Sequence, residues 1–285
     1  MSGLLQEMTE KAQRLNIPFN VQLDLTYRCN ERCVHCYLDH DDHGEMTTAE
    51  IKHLMDEMAE AGVFILTLSG GEIFLRKDFF ELLEHARRLM FCVKLKTNAV
   101  LIREREAARI RDLGVESVQI SIYSHRPEVH DGITLIPGSL KRSIDAIRFL
   151  KSQGLRVIIA NVLMRQNMQD YPGVRALAEE MGVECTLDPT ITPMMDGNRS
   201  ILDLGVDQGT LRQVFRHPAS GNIEWRAVLS LLEAVGTVTP RHDGKVDVTV
   251  GPEQAFLDPP KGKDIDIQMV TDLRRMLTAA GYSPS

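Results

Sequence analysis

Hydrophobic and polar positions alternate along residues 20–190 in a pattern that predicts strands and helices taking turns. Short β-branched or apolar runs predict six strands, at residues 21–26, 64–69, 92–97, 117–122, 156–162 and 184–188. Between these runs, apolar residues recur at helical spacing, as at Ile51, Leu54, Met55 and Met58. Strands that alternate with helices of this length pair in parallel through right-handed crossovers. The pattern therefore predicts an α/β fold.

Polar residues and glycines mark where these helices start and stop. Helix starts are indicated by a Thr47–Glu50 capping box, by Asp78 with Glu81, by Ser139, and by Pro172 in a helix beginning near Asp170. Glycine follows a helix and precedes a strand at Gly62, Gly114, Gly154 and Gly182, as is typical of left-handed C-caps. Six visible β/α units predict a partial, TIM-like (β/α)6 barrel, and a doubly wound sheet is the alternative topology.

The β/α pattern stops after Leu204, and a different pattern follows it. We expect an N-terminal helix over residues 1–16, the β/α core over 17–204, a linker over 205–221 and a small α+β domain over 222–285. Apolar spacing in the last part predicts two helices around a short alternating strand at Val246, Val248 and Val250, in an α-β-β-α order.

Composition excludes some classes of protein. The hydrophobic fraction of 43% is ordinary for a globular chain, and no apolar stretch approaches the roughly 20 residues of a transmembrane helix. The first 15 residues are amphipathic and carry acids, unlike a secretory signal. A formal net charge of −7 argues against nucleic acid as a general partner. We expect a cytoplasmic protein without a membrane partner.

Three of the five cysteines fall within eight residues, at Cys29, Cys33 and Cys36. Three thiolates can hold one face of a cubane iron–sulfur cluster and leave the fourth iron open to an external ligand, whereas electron-transfer clusters take four protein ligands. A zinc site completed by His35, His40 or His43 is the alternative. An odd cysteine count without a signal peptide argues against a disulfide framework.

A second motif, Gly70-Gly71-Glu72, follows the second predicted strand. In a parallel β/α fold, ligands collect at the carboxyl ends of the strands. The cysteine loop follows the first strand, so both motifs are expected at the same end of the sheet. Two glycines allow a close backbone approach, and Glu72 with the loop carbonyls offers acceptors to a positively charged amino group.

These motifs together closely resemble those of the radical S-adenosylmethionine (SAM) enzymes. The resemblance rests on the three cysteines followed by Tyr37, on Gly70-Gly71-Glu72, on Lys96-Thr97-Asn98 and on residues 119–123 of the fourth strand. It covers about residues 17–204. The last two segments are similar to those of peptide-modifying members of the family.

The resemblance implies a mechanism and a set of site residues. Cys29, Cys33 and Cys36 would hold a 4Fe–4S cluster, SAM would chelate its open iron, and one electron would cleave SAM to a 5′-deoxyadenosyl radical that takes hydrogen from the substrate. The implied SAM contacts are Tyr37 at the cluster and adenine, Gly70, Gly71 and Glu72 at the amino group, and Asn98 and Ser121 at the carboxylate and ribose. Asn161 is a further polar lining residue. For Ser121 and Asn161, an ordinary strand-end role is the alternative.

The C-terminal part departs from the peptide-modifying relatives. Those enzymes often carry a cysteine-rich SPASM or twitch module, whereas this chain has no cysteine after Cys185 and cannot form such an auxiliary cluster alone. The helix–hairpin–helix order around Arg241-His242-Asp243-Gly244 is instead faintly similar to small mRNA-interferase toxins with a double-stranded-RNA-binding-like fold.

The resemblance implies that the protein modifies a peptide or protein side chain. Its electrons would come from a reducing partner such as a flavodoxin or ferredoxin. A small-molecule radical SAM enzyme of cofactor or haem-related metabolism is the alternative within the family. A non-catalytic metal-binding regulator with an RNA- or protein-binding C-terminal domain is the alternative outside it.

Overall fold

The structure is a computed structural model, and it describes residues 3–205, 223–241, 244–251, 253–260, 262–280 and 282. A first helix, α1, covers Gly3–Arg14. The elements that follow it alternate as the sequence predicts. The strands are β1 Asn20–Asp24, β2 Ile65–Ser69, β3 Cys92–Thr97, β4 Ser117–Ser121, β5 Val157–Val162 and β6 Glu184–Asp188. The helices are α2 Thr48–Glu60, α3 Phe79–Arg88, α4 Glu104–Asp112, α5 Pro127–Thr134, α6 Ser139–Ser152 and α7 Tyr171–Met181.

The six strands form one sheet in chain order, and every pair from β1 to β5 is parallel. A doubly wound sheet reverses its strand order at a switch point. This sheet does not, so the sequential order of a partial (β/α)6 barrel is confirmed and the doubly wound alternative is wrong.

Strands β1–β4 each have one apolar face and one mostly polar face. On β3, Val93 and Leu95 are fully buried, whereas Lys94 and Lys96 are partly exposed or exposed. Residues paired across a sheet lie on the same side of it, so the register of β1–β4 defines a continuous polar face. We name the polar face by its members, Gln22, Asp24, Thr67, Ser69, Lys94, Lys96, Gln119 and Ser121.

Most of the predicted helix boundaries are confirmed. Thr47 and Glu50 form a capping box at the start of α2, with each side chain accepting from the other residue's backbone. The glycines at 62, 114, 154 and 182 all have left-handed backbone angles. Asp78 does precede α3, but its side chain makes no cap hydrogen bond. Its carboxylate instead accepts from Arg76 Nη2 and Thr48 Oγ1, both at 2.7 Å.

The chain forms two compact units. The first contains residues Met1–Ile122 and Asp131–Ala160, and the second contains Tyr123–His130 and Asn161–Ser285. Within the second unit, α8 Trp225–Val235 and α9 Ile267–Ala279 flank an antiparallel sheet of β7 Thr237–Pro240, β8 Val246–Val250 and β9 Glu253–Leu257. The α+β character is as predicted, with three strands where the sequence pattern indicated two.

One apolar core runs through the second unit. Leu163, Met168 and Tyr171 belong to the same buried cluster as the inner faces of α8, β8 and α9. The hydroxyl of Tyr282 donates to the Met168 carbonyl at 2.7 Å, which fastens the end of the chain to this cluster.

Some predictions on the chain's organisation stay predictions. The expected domain boundaries at residues 16, 204 and 221 stay predictions. Residues 206–221 of the expected linker, and also His242 and Asp243, lie outside the described residues. Among the helices that the structure describes, none has both the length and the apolar character needed to cross a bilayer.

Candidate functional site

A loop of the first unit runs from the end of β1 to the start of α2 and carries the clustered cysteines. Cys29, Cys33 and Cys36 carry reduced thiols, and each residue is partly exposed. The backbone N–H of Arg32 donates to the carbonyl of Thr134 at 3.0 Å, so the middle of the loop is fixed to the end of α5.

The two glycines after β2 allow this loop to begin directly against them. A Cβ on Gly70 would lie 2.3 Å from the Thr26 carbonyl oxygen, and a Cβ on Gly71 would lie 2.3 Å from that of Arg28. The N–H of Gly71 donates to Thr26 at 2.7 Å and that of Glu72 donates to Arg28 at 2.9 Å. These bonds extend the β1–β2 pairing into the cysteine loop. Only glycine fits at these two positions. The close contact therefore fixes the backbone position at which the cysteine loop starts.

Glu72 holds the end of β3 in place. Its side chain is fully buried, and its carboxylate accepts from Thr97 Oγ1 at 2.8 Å, from the N–H of Asn98 at 3.0 Å and from the N–H of Phe74 at 3.1 Å. Burial raises the pKa of Glu72 to about 6, against these hydrogen bonds, which favour the charged form. The carboxylate therefore joins the loop after β2 to the residues after β3.

Asn98 connects the end of β3 to the cysteine loop. Its Nδ2 donates to Asn30 Oδ1 at 2.8 Å and lies 3.7 Å from Cys29 Sγ. Its own carbonyl accepts from Ser143 Oγ at 2.7 Å. The predicted site residues Cys29, Glu72 and Asn98 thus lie in one hydrogen-bonded network.

Partial burial disfavours the thiolate form of Cys29 and Cys36. Burial raises the pKa of Cys29 to about 11 and also raises that of Cys36. The carboxyl of Glu31 is buried beside them, with Oε2 3.6 Å from Cys33 Sγ, and burial raises the pKa of Glu31 to about 7. Iron or another metal cation would reverse this balance, because a coordinating thiol loses its proton.

The donor set fits an iron–sulfur cluster. It offers three reduced thiols from one short loop, and a cubane takes each thiolate on a different iron. Within the described ranges, no three His, Cys, Asp or Glu side chains are grouped closely enough to hold a single metal ion. A cluster spreads its ligands over several metal atoms and does not require that grouping.

Tyr37 connects the cysteine loop to the polar face. Its hydroxyl donates to Asp24 Oδ2 at 3.2 Å, and Gln22 Nε2 donates to Asp24 Oδ1 at 3.1 Å. Gln22 Oε1 in turn accepts from Lys96 Nζ at 2.9 Å. Burial, followed by the charge of Asp24, raises the pKa of Tyr37, so the phenol stays protonated as a donor.

The remaining two predicted residues lie in different surroundings. Ser121 ends β4 on the polar face, next to Gln119 on the same side of the strand. Asn161 belongs to the second unit and is fully buried, and its Nδ2 donates to the Tyr123 carbonyl at 3.0 Å. A cofactor contact by either residue stays a prediction.

Four residues of this network carry no role in the sequence-based predictions, namely Asp24, Asn30, Glu31 and Thr97. Thr97 and Asp24 could have been found, since each ends a strand at the carboxyl edge of the sheet. Asn30 and Glu31 have no such signal, because their contacts with Asn98 and Cys33 depend on the folded loop.

A protein-family model matches the part of the chain that carries this site. The model of the radical SAM superfamily matches residues 23–178, which is more than half of the 285-residue chain. The chain belongs to the radical SAM superfamily. The matched residues include all three loop cysteines and the Gly-Gly-Glu motif.

Curated relatives of this radical SAM protein are identical to it at about a third of the matched residues. It is 33% identical over 170 residues to an AdoMet-dependent heme synthase of Methanosarcina barkeri, a match that covers 59% of this chain and 49% of the relative. It is 32% identical to a PqqA peptide cyclase of Rhodopseudomonas palustris (61% and 47% covered). It is 33% identical to the mycofactocin maturase MftC of Mycobacterium tuberculosis (64% and 47%). The chain thus spans about half the length of these relatives.

Solved structures show the same fold. The crystal structure of Streptococcus suis SuiB bound to precursor peptide SuiA matches with a TM-score of 0.55 at 17% identity, over 64% of this chain and 42% of that one. The structure of anSMEcpe with bound AdoMet and the Cp18Cys peptide matches with a TM-score of 0.52 at 18% identity, over 60% and 50%.

Proposed function

We propose that the protein cleaves SAM reductively at a 4Fe–4S cluster held by Cys29, Cys33 and Cys36. We further propose that the resulting 5′-deoxyadenosyl radical takes hydrogen from a peptide or protein side chain. The observation that carries the proposal is the loop of three reduced cysteines, hydrogen-bonded to Gly70-Gly71-Glu72, in a chain of this superfamily. When bound, the cluster would supply the one electron that splits the SAM sulfonium into methionine and the 5′-deoxyadenosyl radical.

The chain's own residues would bind and orient SAM. The carbonyls of residues 70–72 at the end of β2 are our proposed acceptors for its amino group. The Glu72 carboxylate already accepts three hydrogen bonds and contributes by fixing the end of β3. Asn98 and Ser121 are the proposed contacts to the carboxylate and ribose, and Tyr37 is proposed to flank the adenine.

Peptide-related relatives support a peptide substrate. Those named PqqA peptide cyclase and mycofactocin maturase share about a third of their matched residues with this chain. A reductant such as flavodoxin or ferredoxin would supply the electron. All five cysteines are reduced, which fits a reducing compartment such as the cytoplasm.

A second candidate substrate class is a tetrapyrrole. Relatives named AdoMet-dependent heme synthase and Fe-coproporphyrin III synthase, both of Methanosarcina barkeri, are 33% and 31% identical to the chain. The two classes share the proposed SAM chemistry and differ in the molecule that loses hydrogen.

Anaerobic reconstitution tests the shared chemistry. The full chain, loaded with iron and sulfide and given SAM and dithionite, should release 5′-deoxyadenosine. Cys33→Ala should lose both the iron–sulfur absorbance and the product. Cys185→Ala is the matched control, because it removes a thiol of the second unit and should keep both. A colourless zinc protein that yields no 5′-deoxyadenosine would contradict the proposal.

A further inference from the structure

The polar face of β1–β4 presents two lysines close together. Lys94 and Lys96 are two residues apart on β3, so both side chains lie on the same side of the sheet. Lys94 is level with Thr67 and Ser117, and Lys96 is level with Gln119. All four strands belong to the first unit. This face begins directly below the ends of the strands where the cysteine loop and Gly-Gly-Glu lie.

The charges on this face are unbalanced. Asp24 is its one acidic residue, against Lys94 and Lys96, in a chain whose net charge is −7. The carboxylate of Asp24 already accepts from the Tyr37 hydroxyl and from Gln22. The face is therefore locally cationic in an acidic protein.

The ammonium group of Lys96 is hydrogen-bonded, but no carboxylate of the described residues neutralises its charge. Its Nζ donates to Gln22 Oε1 at 2.9 Å, a neutral acceptor that uses one of the three donors of an ammonium group. Across the described ranges, neither Lys94 nor Lys96 has a carboxylate within 4 Å. Some lysines elsewhere in the chain do have one: Lys52 pairs with Glu81 and Lys141 pairs with Asp145. Lys94 does lie in the field of Glu116, which is already paired with Arg156.

We propose that Lys96, supported by the charge of Lys94, binds a carboxylate of the substrate. A compact ammonium with free donors suits such a group, and Gln22 orients it. The proposal rests on the proposed function and narrows its substrate class to acidic molecules. The carboxylate could be a glutamate or aspartate side chain of a peptide, or a propionate of a tetrapyrrole.

Binding experiments on the full, reconstituted chain with SAM and without reductant test this. Two matched pairs of probes separate the two sources of carboxylate. One pair is a random heptapeptide library with a fixed central Glu and the same library with Gln. The other is coproporphyrin III and its tetraamide. Peptide retention is read by mass spectrometry and porphyrin affinity by fluorescence.

Wild type should prefer the acidic member of at least one pair by about tenfold or more, since a hydrogen bond to a charged partner is worth at least that ratio. The pair that shows the preference identifies the substrate class. Lys96→Met should abolish the preference, Lys94→Met should reduce it, and Lys96→Arg should retain it. Lys141→Met, which removes an exposed charge on α6, should leave it unchanged.

Three results would overturn the inference. The first is the absence of any acidic preference in wild type, and the second is the persistence of that preference in Lys96→Met. The third is a Lys96→Met variant whose affinity for SAM falls as much as its affinity for the probes, since that would assign Lys96 to the SAM carboxylate. Because no reductant is present, these results do not depend on SAM cleavage. Failure of the proposed function would appear separately, as the absence of 5′-deoxyadenosine.

Discussion

At the scale of single residues, the protonation of Glu72 carries the clearest energetic consequence. Its carboxylate is fully buried and accepts from Thr97, Asn98 and Phe74. Burial still dominates and raises its pKa from 4.5 to about 6. A native state that holds its proton more tightly than the unfolded chain loses stability as pH rises through that window.

Replacing Glu72 with Gln should remove this dependence on pH. Between pH 4.5 and 6, the free energy of unfolding of the wild-type chain should fall relative to Glu72→Gln by about 2 kcal/mol, or about 1.4 kcal/mol per unit. Urea unfolding of both proteins without cluster, at several pH values, measures this difference. Titrating groups are common to both proteins and cancel, except for Glu31, whose pKa the charge of Glu72 also raises. Parallel curves across the window would show that burial does not raise this pKa.

At the scale of elements, the approach of β2 to the cysteine loop depends on missing side chains. A Cβ on Gly71 would lie 2.3 Å from the Arg28 carbonyl oxygen and 2.8 Å from that of Tyr27. Both are backbone atoms and cannot rotate away. An added methyl group must therefore move the loop that begins with Cys29.

Gly71→Ala should consequently lower the iron bound after reconstitution to less than half of the wild-type amount and destabilise the fold by about 1–3 kcal/mol, as overpacking does. Gly132→Ala is the matched control: Gly132 lies in α5 with no heavy atom within 4 Å of its Cβ position, and alanine favours a helix. Iron and sulfide analysis with thermal melting measures both effects. Full cluster loading in Gly71→Ala would contradict the steric argument.

The strands and one helix cap were predictable from the sequence, whereas long-range side-chain contacts were not. Hydrophobic periodicity is local, so the six strands were predicted within about two residues at either end, and β3 and β6 without error. Capping by Thr47 is local too. Asp78 has the same sequence signal, yet its carboxylate binds Arg76 and Thr48. The contacts of Glu72 with Thr97 and Asn98 span about 25 residues, and no local pattern encodes them.

At the scale of the whole chain, the core of the second unit determines where the chain can be divided into domains. The sequence pattern predicts a core that ends at residue 204. In the structure, Leu163, Met168 and Tyr171 are buried in one cluster with Val228, Val248 and the rest of the C-terminal core. The Tyr171 and Tyr282 rings pack with centroids 5.7 Å apart. These contacts tie the segment after β5 to the end of the chain.

Removal of residues 205–285 should therefore expose apolar side chains that the full chain buries. Leu163, Met168 and Tyr171 are each at most 5% exposed, and each would forfeit about 1.5–3 kcal/mol of burial. That loss is comparable to the whole stability of a domain. We expect a fragment of residues 1–204 to aggregate or to bind a hydrophobic dye, whereas the full chain should do neither.

A matched variant, Tyr282→Phe in the full chain, removes only the hydrogen bond to Met168 and should cost about 1 kcal/mol while the protein stays monodisperse. Size-exclusion chromatography and dye fluorescence measure both. A fragment 1–204 that is monodisperse and melts cooperatively would instead show that the β/α core folds without the C-terminal residues, as the hydrophobic pattern alone predicts.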